Sequence, residues 1–313
     1  MKREWVVGPD DDGERLDCLV AKRATTSRAA ARRAIENHQV RIGDRPARKG
    51  SAVRAGDRIT VDGPLGDRES LAPLPEPELP LAVLFADNDV VALDKPAGVP
   101  THPLLRGERG TLAGALVARF PECRAVGEDP REAGFVQRLD IDTSGVLLAA
   151  RNPTAWQQLR RSFREGATEK QYLALVHGEL TGSGSIDLPL AHDPRDRRRI
   201  VAVGDPSAAI RLRARPSVTR WSALATRDGL TFLRIVLSTG RMHQIRAHLA
   251  AVGHPLVGDP LYGGPPALAA VPGHFLHADR VRAPHPTRGV IDVCAPLPPD
   301  RMAALHRLGL RDY

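Results

Sequence analysis

The chain has 313 residues, room for one large domain or two, and its 42% hydrophobic and 26% charged content is that of an ordinary soluble globular protein. No apolar run approaches the roughly 18 residues of a membrane span, and "MKREWVVGPDDDGERL" holds no apolar export core. The net charge is +8, and residues 22–54 carry all of it, with ten basic side chains against Glu36 and Asp44 while the other 280 residues hold 35 of each sign. Confining the excess to a tenth of the chain points to a polyanion site. Cys18, Cys123 and Cys294 are far apart with no CxxC pair, which reads as reduced thiols in a cytoplasmic protein, with no disulfide frame and no zinc site.

In chain order, Leu16, Leu19 and Val20 have helical spacing after the polar "DDDGER". Ser27 is placed to cap a second helix, "SRAAARRAIEN". On a helical wheel Ala30, Ala31, Ala34 and Ile35 share one arc, and Arg28, Arg32, Arg33 and Glu36 the opposite one. "QVRIGDRPARKG" reads as a strand and a Gly-Asp turn, and "VRAGDRITVDG" as a second turn and an alternating strand. Together "RLDCLV", "SRAAARRAI", "VRIGDRPARKG" and "VRAGDRITV" resemble the alpha-L RNA-binding fold of a small-subunit ribosomal protein. That resemblance makes residues 1–62 a small α+β RNA-binding domain, with Arg28, Arg32, Arg33 and Lys49 as RNA contacts. Residues 63–80, rich in Pro, Gly and charge without any period, read as a linker.

From Leu81 onward, "AVLFADNDVVALDKPAG", "GVLLAARN", "QYLALVHGEL" and "TFLRIVLSTG" alternate with fewer helices, of which "NPTAWQQLRRSFREG" and "RMHQIRAHLAAVG" are the clearest. The pattern predicts an α+β domain over 81–313 around a mixed, largely antiparallel sheet.

Within it, "QRLDIDTSGVLLAA" (137–150) admits three readings. Asp140, Asp142, Ser144 and Gly145 fit the first positions of a calcium loop, but position 12 is Arg151, which repels a cation. Asp142-Thr143-Ser144-Gly145 matches an aspartic-protease signature, yet no second such element follows one domain later. The remaining reading is a turn built from residues that turns select. His243, His248 and His254, spaced by five and six, do not share a helix face and have no acidic or cysteine ligand beside them in sequence, so no metal is expected.

Four segments, "VVALDKPAGVPTHP" (90–103), "GFVQRLDIDTSGVLLAAR" (134–151), "KQYLALVHG" (170–178) and "STGRMHQIRAHLAAVGHPLVGDPLYG" (238–263), with "LHADRVRAPHP" (276–286) as a weaker fifth, resemble the RluA-type RNA pseudouridine synthases. The resemblance implies the fold of that family and an isomerase of uridines in ribosomal RNA, with transfer RNA as the alternative, that needs no cofactor. It assigns Asp140 as the catalytic carboxylate, acting on C1′ as nucleophile or toward C2′ as base. It assigns Arg246 as the cation paired with Asp140, and Tyr172 as the ring that stacks on uracil or accepts the C5 proton. Arg138 matches the residue that fills the space of the flipped base, and Lys95 and Arg241 are expected to contact phosphates. One departure is Gln137, where the family usually has His. The rival reading is a non-catalytic RNA-binding or ribosome-assembly factor on the same fold. Target nucleotide and oligomeric state are not legible.

Overall fold

The computed structural model describes residues 2–26, 28–63, 65, 71–265 and 271–310. Ser27, the expected helix cap, lies outside them, as do 64 and 66–70 of the expected linker. The chain divides into two compact units, Met1–Ala72 with Leu104–Gly107, and Pro73–Pro103 with Glu108–Tyr313. No helix of the described residues is long and apolar enough to cross a membrane.

The smaller unit holds strands β1 (Lys2–Val6), β2 (Val40–Ile42), β3 (Arg45–Pro46) and β4 (Arg58–Asp62) and helices α1 (Leu16–Arg23) and α2 (Arg28–Glu36). Its antiparallel sheet runs β1-β4-β2-β3. Leu16, Leu19 and Val20 of α1 meet Ala31, Ala34 and Ile35 of α2 over Val40, Ile59 and Val61, all buried, as their spacing requires. The basic face of α2 is partly occupied from within the unit. Asp17, only 4% exposed, accepts from Arg15, Arg28 and Arg32, and Asp11 from Lys22 and Arg23. Hydrogen bonding from Arg15, against a smaller opposing effect of burial, holds the Asp17 carboxyl well below the usual carboxylate range.

The larger unit is built on strands β5 (Ala82–Ala86), β6 (Val90–Lys95), β7 (Ser144–Ala150), β8 (Glu169–His177), β9 (Ser183–Asp187), β12 (Val218–Arg227), β13 (Leu230–Leu237), β14 (Leu276–Pro284) and β15 (Val290–Cys294). Their order is β5-β6-β7-β14-β8-β13-β12-β9, with β15 also on β14. Among the described residues every pairing in it is antiparallel except β7 with β14, so the sheet is mixed and largely antiparallel. β10 (Leu190–His192) and β11 (Ile200–Ala202) form a separate hairpin.

Strand alternation sends neighbouring side chains into different cores. Val91, Leu93, Leu147 and Ala149 join Tyr172, Ala174 and Ile235 in one cluster, while Val90, Ala92, Val146 and Leu148 join Trp156 and Leu159 in another. Covered on both faces, β7 is buried at all seven positions. Helices α3 (Leu112–Arg119), α4 (Pro153–Glu165), α5 (Pro206–Leu212), α6 (Gln244–Ala251) and α7 (Pro299–Arg307) surround the sheet. Asn152 caps α4 by accepting from Ala155 N, Pro153 opens it, and Gly166 at φ +76° ends it. Helix α6 starts later than "RMHQIR" suggests, because His243 takes φ +51° at its N-cap.

Candidate active site

The "DIDTSG" turn enters β7, and the carbonyls of Asp140, Ile141 and Asp142 each accept a hydrogen bond, from Thr143 N, from Gly98 N and Lys95, and from Arg301. Gly145 pairs in parallel with Ala278 at φ +109°, where a Cβ would lie 2.2 Å from the Ala278 carbonyl, so only glycine fits. Arg301 of α7, 1% exposed, donates to Asp142 O at 2.7 Å, Leu276 O at 2.7 Å and His274 O at 3.1 Å, and also to Ser144 Oγ. Thr143 Oγ1 lies 2.7 Å from His274 Nε2, and Ser144 Oγ 2.9 Å from His277 Nδ1. Burial drives both imidazoles down to about 4, so they are neutral partners at pH 7. Asp142 belongs to this fastening, while Asp140 stands at its edge and faces a groove.

The expected phosphate contact at Lys95 is corrected here. Lys95 is fully buried, and its Nζ donates to Pro96 O and Ile141 O, each at 2.8 Å. A lysine in "DKPAG" reads as exposed, but two carbonyls turned inward require a buried donor, so its ammonium is not presented at the surface. Desolvation lowers it to about 7.

The groove has a volume of about 1160 Å³, and Arg138, Asp140, Arg160, Arg164, Lys170, Tyr172, Arg241, His243 and Arg246 are among its lining residues. Asp140 and Arg246, 106 positions apart, meet there, with Arg246 Nη1 donating to Asp140 Oδ2 at 2.8 Å. The rest of the guanidinium is taken by Asp259, fully buried, through Nε at 2.6 Å and Nη2 at 2.9 Å. Arg246 thus bridges two carboxylates, its fork aligned by one so that a single N–H reaches the other. Tyr262 packs its ring 5.1 Å from the Arg246 guanidinium carbon, and its hydroxyl lies 3.0 Å from His243 Nδ1. His243 Nε2 is in turn 3.7 Å from Asp140 Oδ1.

Burial, the largest single influence on Asp140, pushes its carboxyl up. The charges of His243 and Arg246 together with the Arg246 hydrogen bond outweigh it and hold the pKa below the ordinary value. His243 is itself pushed below its usual value by burial, so near neutral pH the cation that keeps Asp140 ionised is Arg246. Tyr172 is buried on the same groove wall, and burial plus the Asp140 charge push its phenol well up, so it is protonated at pH 7.

Arg138 and Arg241 are exposed at the groove. Gln137 donates to Val146 O at 3.4 Å. Lys170 is buried, donates to Thr239 O at 2.9 Å and is brought down to about 8 by burial, with Arg241 adding to the shift. Arg28, Arg32, Arg33 and Lys49 lie in the smaller unit; Arg28 and Arg32 are drawn to Asp17 and Lys49 to Glu36 at 2.9 Å, and Arg33 is exposed.

His248 is enclosed between Thr219 and Leu188 O, and His254 bonds His177 O, so the three sequence histidines have separate surroundings. Among the described residues one group, Asp87, Asp89 and His285, has metal-ligand spacing. Its atoms are engaged by Arg288, Thr287 and Asn152, and it lies outside the groove lining. Sequence reasoning gave no role to Asp259, Tyr262 or Arg301. The first two sit in the quoted "GDPLYG", and a buried arginine serving one carboxylate was the signal for a second.

Residues 89–251 match the family described as RNA pseudouridylate synthase. A protein of Chloroflexus aurantiacus described as an uncharacterized RNA pseudouridine synthase is 37% identical over 98% of this chain and 94% of its own length. Ribosomal large subunit pseudouridine synthase D of Xanthomonas campestris is 36% identical over 95% of this chain and 90% of its own. Among solved structures, human RNA pseudouridylate synthase domain containing 1 superposes with a TM-score of 0.56 at 29% identity, covering 70% of this chain and 84% of that one. Match, relatives and groove agree, and this chain belongs to the RluA-type RNA pseudouridine synthases.

Proposed function

We propose that this RNA pseudouridine synthase isomerises uridines of large-subunit ribosomal RNA in the cytoplasm, with Asp140 as its catalytic carboxylate. The observation that carries the role of Asp140 is its setting: a carboxylate in a polar groove, held ionised by an arginine that a second, buried aspartate aligns. Large-subunit ribosomal RNA is favoured over transfer RNA by the relative from Xanthomonas campestris and by the alpha-L-like smaller unit.

The reaction breaks N1–C1′, turns the freed uracil and forms C5–C1′; the C5 proton leaves and N1 gains one, so electrons balance without an oxidant or cofactor. Asp140 acts at the sugar, adding to C1′ or taking a C2′ proton, and Arg246 keeps it anionic until it does. Tyr172 supplies a flat apolar wall for uracil. Its phenol, pushed up as it is, enters that role protonated, which weighs against a resting phenolate base. Arg138 fills the gap left when the uridine leaves its stack, and Arg241 takes a neighbouring phosphate. The smaller unit adds affinity through Arg28, Arg32, Arg33 and Lys49, three of them already sharing carboxylates of that unit.

The test is to map pseudouridines in ribosomal and transfer RNA from cells with and without this protein. Sites missing from large-subunit ribosomal RNA alone support the reading; sites missing only from transfer RNA move the substrate; no missing site supports a binding factor.

A further inference from the structure

The zero net charge outside residues 22–54 conceals a local excess. Residues 195–220 hold eight arginines against Asp196 and Asp205, a net +6 within 26 positions. They form the β10–β11 loop, α5 and the entry to β12.

The loop is a built one. Asp193 Oδ1 accepts from Arg195 N at 2.8 Å and Asp196 Oδ1 from Arg198 N at 3.0 Å, two side-chain turns in succession. Asp193 N to Arg199 O at 3.0 Å and Arg199 N to Asp196 O at 2.9 Å close it. Both acids are thereby spent on the loop, and Asp196 also holds Arg198 at 2.8 Å. Arg195, Arg197 and, on α5, Arg211 stay exposed with no side-chain hydrogen bond or ion pair among the described residues.

The hairpin is also joined to the catalytic groove. Ile200 N donates to Tyr262 Oη at 2.9 Å, and the Arg199 guanidinium carbon lies 5.4 Å from the Tyr262 ring centroid. Tyr262 is the ring that contacts Arg246 and His243. Ile200 further packs with Tyr262 and with Ala247, the residue after Arg246 on α6. The hairpin therefore adjoins, through Tyr262 and Ala247, the helix that carries Arg246. Arginine forks without local counter-charge match phosphate oxygens in both charge and geometry.

We infer that the β10–β11 loop and α5 form a second phosphate-gripping surface, carried by the catalytic unit itself, for the RNA strand flanking the target uridine. This rests on the reading that the substrate is RNA.

The test uses the full chain and a short uridine-containing RNA hairpin, with affinity measured across a salt series for Arg195→Gln/Arg197→Gln/Arg211→Gln. If each arginine holds one phosphate, the log–log slope flattens by about two to three units, at roughly 0.7–0.9 per contact. The control is Arg124→Gln/Arg282→Gln/Arg307→Gln, which removes the same charge from exposed positions outside this stretch; its slope should stay within about half a unit of the wild type. An unchanged slope in the first variant, or an equal loss in the control, overturns the proposal. Pseudouridine formation by the wild type on a large-subunit ribosomal RNA transcript judges the function separately. A flattened slope beside no product would sink the isomerase reading and leave the surface standing.

Discussion

Arg246→Lys separates charge from geometry at Asp140. The arginine makes three hydrogen bonds, two to buried Asp259 and one to Asp140. An ammonium on a shorter stem cannot span both carboxylates, and Asp259, with no exposure at all, claims it first. Asp140 then loses a charge-assisted hydrogen bond worth about 1.5–3 kcal/mol, which lowers the single-turnover rate at saturating RNA by about 10- to 150-fold.

It also loses the Arg246 hydrogen bond, one of the influences that, after the His243 and Arg246 charges, oppose burial, the largest influence on its titration. The lysine charge stays on Asp259 and stands farther from Asp140, so the Asp140 pKa rises from its depressed position. The sign follows from the ionised form being the active one. In the wild type a depressed pKa keeps the rate level as pH falls; in the variant the acid limb moves to higher pH. The assay is single-turnover pseudouridine formation between about pH 5 and about pH 8, above the point where RNA binding is limiting. Circular dichroism and thermal melting confirm that the variant is folded. A lower rate with an acid limb in the wild-type position would refute the claim that Arg246 keeps Asp140 ionised.

Tyr172→Ala removes the apolar wall and should lower kcat/KM by about 5- to 150-fold, the worth of one base–aromatic stack of about 1–3 kcal/mol; an unchanged value in steady-state kinetics would show that uracil does not rest there. Lys95 falls to about 7, so between about pH 7 and about pH 10 the unfolded chain holds a proton that the folded chain releases, and stability rises with pH across that window. Lys95→Met should abolish that rise in urea unfolding, and an equal rise in both proteins would show that Lys95 does not titrate in the fold. The same substitution leaves the inward carbonyl of Pro96 without its donor and loosens the Asp140 turn, so a loss of about 1–3 kcal/mol is expected at neutral pH.

Some of this was legible in the sequence and some was not, for identifiable reasons. The apolar run of β7 and the Asn-Pro start and Gly stop of α4 are local signals, and the structure places a strand and a helix there. The Asp140–Arg246 contact spans 106 positions and was legible only through the resemblance to a family, since no periodicity links residues so far apart. β1 was missed because "KREWV" alternates between exposed and half-buried positions, with no wholly buried face to give a strong apolar signal. Helix α3 was missed because "LAGALVAR" is apolar on nearly every side, a run that fits a buried helix or a buried strand equally well. Lys95 and Arg301 were misread or unread for the same reason: charged residues are expected outside, and both are inside holding the carbonyls of the Asp140 turn. The charge at 195–220 was hidden by summing over too long a stretch.

The central claim is that one carboxylate, Asp140, performs the chemistry while Asp142 only belongs to the turn that presents it. Asp140→Asn and Asp142→Asn, each assayed for pseudouridine formation at saturating RNA and for RNA affinity, test this most directly. Asp140→Asn should yield no product while binding RNA within a few-fold of the wild type, and Asp142→Asn should still turn over. Product from Asp140→Asn at a rate near that of the wild type would contradict the account.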